Sequence, residues 1–185
     1  TLGIGSASGF NLNMGAGDTK KAPYYIGNAT TLMLIIGVII GVIGIVFMKP
    51  MLLFFGSTDK VLPFAMEYTR VIALGFPAAI VSAGGAHLVR ADGNPNFSMA
   101  CNLTGAVINV VLDYIFVILF GWGMSGAAIA TIIGQYVATL MVIWYLIHFK
   151  TVKLKKEHFV PNAKICLRAS HLGMAQGLNQ LAIMF

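Results

Sequence analysis

The chain has 185 residues, 58% hydrophobic and 10% charged, with a formal net charge of +6; soluble domains carry about 25% charged residues. Its mean hydropathy of +0.84 excludes an ordinary soluble enzyme, and no cluster of His, Cys or acidic residues points to a metal centre.

An apolar stretch over residues 1–16 opens the chain as a partial span. Whole spans follow near 23–48, 63–89, 98–120 and 124–148, and another starts over 166–185. A membrane helix needs about 20 apolar residues, and runs such as "LMLIIGVIIGVIGIVFM" (Leu32 to Met48) carry no charge. The runs lack the period-two alternation of a barrel, and they are too long and too many for a signal peptide. The expected fold is all-α, a polytopic transmembrane helical bundle. Because both ends fall inside apolar runs, the sequence reads as an internal fragment of a longer protein.

The connections are short. "GDTKKA", "KPMLLFFGSTDKV", "RADGNPN" and "FGWG" read as loops, and a longer polar piece covers 149–165. Asp18, Asp59 and the "DGNP" at Asp92 to Pro95 supply turn chemistry. Pro23 and Pro63 suit first helical turns. Successive loops alternate sides. One side collects Lys20, Lys21, Arg90, Lys150, Lys153, Lys155, Lys156, Lys164 and Arg168; the other has Lys49, Lys60 and Arg70. The positive-inside rule makes the first side cytoplasmic. "KTVKLKK" (Lys150 to Lys156) then reads as a topology signal that touches anionic lipid, with no nucleic acid implied, since aromatics are not interleaved. Cys101 and Cys166 lie near this reducing side, where packing is expected and not a disulfide. Asn28-Ala29-Thr30 and Asn102-Leu103-Thr104 match the glycosylation pattern, but both fall inside spans. "GIGSASG" has a glycine-loop spacing without a preceding strand.

One span is polar on a single face. Asn102, Ala106, Asn109 and Asp113 are spaced 4, 3 and 4 apart, which aligns them on a helix. At 1.5 Å per residue, Asp113 lies about 12 Å before Gly121, inside the outer half of the bilayer. An isolated carboxylate at the centre of a membrane helix costs about 2.5 kcal/mol or more, and intramembrane acids mark function by default. Asp113 therefore needs a partner, a cation, water or a proton, and the amide of Asn109 one turn away is within donating range. On the next span Thr131 and Gln135 share a face, and counting from the hairpin puts Thr131 at the depth of Asp113. Asn102 and Gln135 are candidate cavity-lining residues. Gly126, Ala130, Gly134 and Ala138 form a small-residue stripe for close helix approach. Gly37 and Gly41 form a second such pair. Pro77 is expected to kink its helix as a hinge. Glu67 and Arg70 are expected to pair at the outer surface.

The order "MGAGDTKKA", "YTRVIALGFP", "LVRADGNPNFSMACNLTGAVINVVLDYIF", "GMSGAAIATIIGQ" resembles the multidrug and toxic compound extrusion (MATE) transporters through nearly the whole chain. The resemblance implies two six-helix lobes around a central cavity, alternating access, and export of organic, often cationic, compounds in exchange for protons or sodium ions. It also implies that the chain runs from the second helix to the start of the seventh. Residues 1–148 would be an N-terminal lobe lacking its first helix, 149–165 a cytoplasmic linker and 166–185 the start of the C-terminal lobe. The family's cation site uses a first-helix acid, an Asn and an Asp four apart on the fifth helix, and a Thr on the sixth. Asn109, Asp113 and Thr131 match the last three. The expected function is cation-coupled (H⁺ or Na⁺) antiport of drugs and other xenobiotics across the plasma membrane, a bacterial or archaeal inner membrane. No enzyme activity and no cofactor beyond the coupling ion are expected. Partners would be membrane lipid, small organic substrates and the rest of the same transporter chain. The rival readings are a lipid-linked oligosaccharide flippase of the same superfamily, a non-transporting scaffold, and an intramembrane enzyme; the last would need a second catalytic group.

Overall fold

The computed structural model describes residues 2–184; Thr1 and Phe185, which the expected first and last spans include, lie outside the described residues. The elements are α1 (Leu2–Gly15), α2 (Ala22–Val46), α3 (Met48–Phe54), α4 (Leu62–Ala91), α5 (Pro95–Asp113) and α6 (Gly123–Ile147), then a 3₁₀ turn (Lys156–Phe159) and α7 (Ala163–Met184). No strand occurs among the described residues. Four helical stretches are long and apolar enough to cross a membrane: Ala22–Val46, Leu62–Ala91, Pro95–Leu119 and Gly123–Ile147.

Local chemistry sets the boundaries. Prolines stand in the first turns of α2, α4 and α5, where a missing N–H costs little. Asn94 caps α5, its Oδ1 accepting from Phe97 N at 3.2 Å. The preceding Gly93 has φ +80°, a conformation that side chains disfavour. Three expectations need correction. "KPMLLFFGSTDKV" is not all loop, because Phe47 (φ −98°, ψ 13°) breaks the chain and α3 follows it. Met48 at its start is buried, whereas Phe54 and Phe55 beyond it are exposed. The expected 98–120 span starts earlier, at Pro95, and turns into a π-helix over Tyr114–Leu119. Glu67 does not pair with Arg70 among the described residues; it accepts a hydrogen bond from Ser125 Oγ.

The core holds Phe10, Ile26, Met33, Val81, Leu88, Val142 and Leu146 from α1, α2, α4 and α6. The outer faces are apolar and exposed, with Ile39, Ile43, Val46, Val107, Val110, Ile118 and Leu140 among them. Such a surface in water would drive association; in hydrocarbon it is matched to its solvent.

Glycines bring the helices into backbone contact. A Cβ on Gly37 would stand 2.5 Å from Pro77 Cα, and one on Gly41 would stand 2.8 Å from the Ala73 carbonyl. That carbonyl is the one deprived of its helical donor by Pro77, which has no N–H. The helix runs through Pro77 without a break. α6 supplies hydroxyls beside it: Tyr136 Oη donates to Leu74 O at 3.0 Å and Thr139 Oγ1 to Ala78 O at 2.7 Å. Both hydroxyls bind carbonyls near the freed one, so α6 ties down the helix around Pro77.

The segment after α6 is anchored to the bundle at two places. The carboxylate of Asp92, only 9% exposed, accepts from Tyr145 Oη (2.8 Å), Lys150 N (2.9 Å) and Thr151 N (2.9 Å), and also from Thr151 Oγ1. Buried Asn28 on α2 donates to His158 O at 2.9 Å and accepts from Asn162 N. Thr31 Oγ1 donates to Phe159 O at 2.8 Å. α7 then lies against α1, where a Cβ on Gly5 would collide with the backbone of Ala169 and Gly173.

Two tests follow from this packing. Gly37→Leu overpacks the α2–α4 contact and should cost about 1–3 kcal/mol, read as a lower thermal midpoint in detergent. Gly15→Ala, whose added Cβ meets nothing within 4 Å, should not lower it. Asp92→Ala orphans the buried Tyr145 hydroxyl, at about 1–3 kcal/mol, and releases the part-buried N–H groups of Lys150 and Thr151. Trypsin should then cut after Lys150, Lys153 and Lys155 at least tenfold faster, with unchanged cutting after Lys49 and Lys60.

Candidate functional site

α5 and α6 form an antiparallel hairpin through a turn at Gly121, whose φ is +69°. The helices touch backbone to backbone. A Cβ on Gly134 would lie 2.6 Å from the Gly105 carbonyl and 3.1 Å from Asn109 Cβ; one on Gly105 would lie 2.9 Å from the Gly134 carbonyl. Small residues permit this approach, and the approach carries two polar side chains into reach. Asn109 Nδ2 donates to Thr131 Oγ1 at 3.3 Å, and Thr131 Oγ1 donates to Ala127 O at 2.9 Å.

A cavity of about 230 Å³ opens beside this pair, lined by Asn102, Asn109, Thr131, Gln135 and Ser82 together with small residues of α5 and α6. The structure thus gathers four of the polar residues singled out from sequence. Gln135 reaches toward α4, where a Cβ on Gly75 would stand 2.8 Å from Gln135 Oε1. Ser82 was missed by the sequence reading, although it is a lone hydroxyl in the apolar stretch "AAIVSAGGA" of α4. Among the described residues, no Lys or Arg lines this cavity.

Asp113 stands apart from this group. It ends α5 where the π-helix begins and is not among the cavity-lining residues. Its Oδ1 is buried and has no hydrogen-bond partner among the described residues. The expected hydrogen bond from Asn109 to Asp113 is not made, because the Asn109 amide is turned to Thr131. The equal depth expected for Asp113 and Thr131 also fails. Gly105 meets Gly134, and Phe116 meets Gly126. In that register Thr131 stands opposite Asn109, and Asp113 falls one turn nearer the hairpin. The physical reason is the π segment, whose i→i+5 bonding, seen in Phe120 N to Ile115 O at 3.0 Å, departs from the uniform α rise assumed in counting. Pi segments occur frequently at functional sites.

Four helical stretches long and apolar enough to cross a membrane, with exposed apolar outer faces, define a multi-pass integral membrane protein. The chain belongs to the MatE family, whose pattern it matches over residues 1–115, a family of transporters and not of enzymes. It is 26% identical over 200 residues to the probable multidrug resistance protein YoeA of Bacillus subtilis, covering 99% of this chain and 43% of that protein. It is 27% identical over 173 residues to the multidrug export protein MepA of Staphylococcus saprophyticus, covering 93% and 38%. Among solved structures, it superposes on a MATE transporter in the bent conformation with a TM-score of 0.90 at 28% identity, over 97% of this chain and 41% of that one. Inward-facing and outward-facing structures of a multidrug resistance MATE family transporter each give 0.88 at 28% identity, over 97% of this chain and 41% and 40% of theirs. The chain therefore spans about two fifths of the length of these relatives.

The pairing across the cleft can be measured by a double-mutant cycle. Asn109→Ala and Thr131→Val should show a coupling of about 0.6 kcal/mol and no more than about 1.7 kcal/mol, the range of interhelical hydrogen bonds in membranes. SDS-induced unfolding of each single and the double variant supplies the four free energies.

Proposed function

We propose that this chain forms part of a secondary transporter that exports organic, often cationic, compounds across the plasma membrane in exchange for H⁺ or Na⁺. Asp113 takes up and releases the coupling ion, and Asn109 and Thr131 act as neighbouring oxygen ligands. The observation that carries this reading is the buried Oδ1 of Asp113, without a hydrogen-bond partner among the described residues, one helical turn from the Asn109–Thr131 pair. A carboxylate oxygen held in an apolar bundle without a donor costs free energy, and binding a proton or a cation removes that cost. The amide of Asn109 donates through Nδ2, which leaves its Oδ1 free to face an ion. The names of the relatives, multidrug resistance and multidrug export proteins, favour the same substrate class.

A ligand drives a conformational change only through different affinities for the two states. Loading Asp113 changes the charge beside the cleft, so states that differ in water access to Asp113 differ in ion affinity. The equal likeness of this chain to inward-facing and outward-facing structures supports a lobe that moves as one body while access alternates. The basic side, with Lys20, Lys21 and the 149–165 segment, faces the cytoplasm in this reading. A cavity without Lys or Arg fits organic cations better than the anionic pyrophosphates of a lipid-linked sugar flippase.

The test is Asp113→Asn in the full-length protein, reconstituted in vesicles with a fluorescent organic cation such as ethidium. Efflux driven by a pH or Na⁺ gradient should fall at least tenfold, with the protein still inserted and folded. Gradient-driven efflux at the wild-type rate would remove Asp113 from the coupling step.

A further inference from the structure

A cavity of about 390 Å³ lies away from the polar cleft. It opens between the α1–α2 turn and the segment after α6, with Lys20 and Tyr24 on one wall and Lys153, Lys155, Glu157 and His158 on the other. Three lysines from segments about 130 residues apart in sequence thus converge on one space. Their convergence is built by the anchors already described. Asn28 holds the carbonyl of His158 at 2.9 Å, and the ring of His158 is buried against Tyr24 with centroids 4.6 Å apart. His158 Nδ1 in turn accepts from Lys155 N at 3.0 Å.

Local acids do not neutralise the site. Asp18 is taken by Lys21 at 2.8 Å, and this contact holds the Asp18 carboxyl below the usual carboxylate value, chiefly through the hydrogen bond from the Lys21 side chain. Glu157 lies 3.8 Å from Lys155 Nζ. Lys20 and Lys153 make no ion pair among the described residues. Three cations face one carboxylate. The depth is also informative: Pro23, in the first turn of spanning helix α2, lines the same cavity, which puts it at the level of lipid headgroups.

We infer that this cavity binds the phosphate of an anionic phospholipid headgroup, with Lys20, Lys153 and Lys155 as its cationic ligands and Tyr24 as an interfacial aromatic anchor. Basic pockets at membrane-helix ends take such headgroups, and each lysine close to an anionic leaflet changes lipid binding about fivefold. The site is independent of the coupling ion and of Asp113, so its test does not read transport. By fixing a lipid across the α1–α2 turn and the segment after α6, the site joins parts of the chain that side-chain contacts already bring together.

Native mass spectrometry of the full-length protein, titrated with phosphatidylglycerol, phosphatidylcholine or inorganic phosphate, tests this directly. Wild type should retain phosphatidylglycerol over phosphatidylcholine. Combined K20Q, K153Q and K155Q substitution should cut that retention tenfold or more, and the K49Q and K60Q pair on the opposite side should leave it unchanged. Arginine at the same three positions should keep it, which controls for folding. Retention of phosphatidylglycerol by the triple glutamine variant at the wild-type level would overturn the inference. Inorganic phosphate binding as tightly as the lipid would overturn it equally, by showing a site for the free anion.

Discussion

At Gly105 and Gly134 two membrane helices come so close that neither position has room for a methyl group, and the polar chemistry of the bundle depends on that approach. Hydrocarbon gives helices no hydrophobic reason to associate, so association rests on packing and on a few hydrogen bonds. The glycine crossing supplies the packing. It also sets the register that places Asn109 opposite Thr131. A bulkier residue at either glycine would widen the gap beyond hydrogen-bond reach, and the cavity beside it would change shape with the pair.

The same logic recurs between α2 and α4, where Gly37 and Gly41 lie against Pro77 and the Ala73 carbonyl. Proline removes a donor in a medium that offers no water to replace it. The freed Ala73 carbonyl faces Gly41 on one side, and on the other the Tyr136 and Thr139 hydroxyls of α6 bind the nearby carbonyls of Leu74 and Ala78. α4 is thereby tied to both neighbours at its weakest point.

Much of this could be read from the sequence, because helical spacing in an apolar background exposes polar faces cleanly. The alignment of Asn102 and Asn109 on one cavity wall, the small-residue stripe through Gly134, and the number of long apolar spans all follow from period and composition. The choice of partners does not. Asn109 has two neighbours within reach, and only the hairpin register decides for Thr131 over Asp113. The π segment carries no marker, since "YIFVIL" is an ordinary apolar hexapeptide. α3 was hidden by Lys49 and Pro50, which make a short helix look like a loop. Asp92 and Asn28 were each given a sufficient local explanation, a turn residue and a sequon inside a span, so nothing prompted a search for partners more than fifty residues away.

The two anchors of the segment after α6 have a mechanical consequence. A free stretch of that length would behave as a flexible tether with an end-to-end distance near 20 Å, and would absorb displacement at either end. Here its start is fixed to Asp92 and its end to Asn28, and α7 begins at Ala163, directly after Asn162. A shift of α7 would therefore have to break these hydrogen bonds or carry α2 and the end of α4 with it.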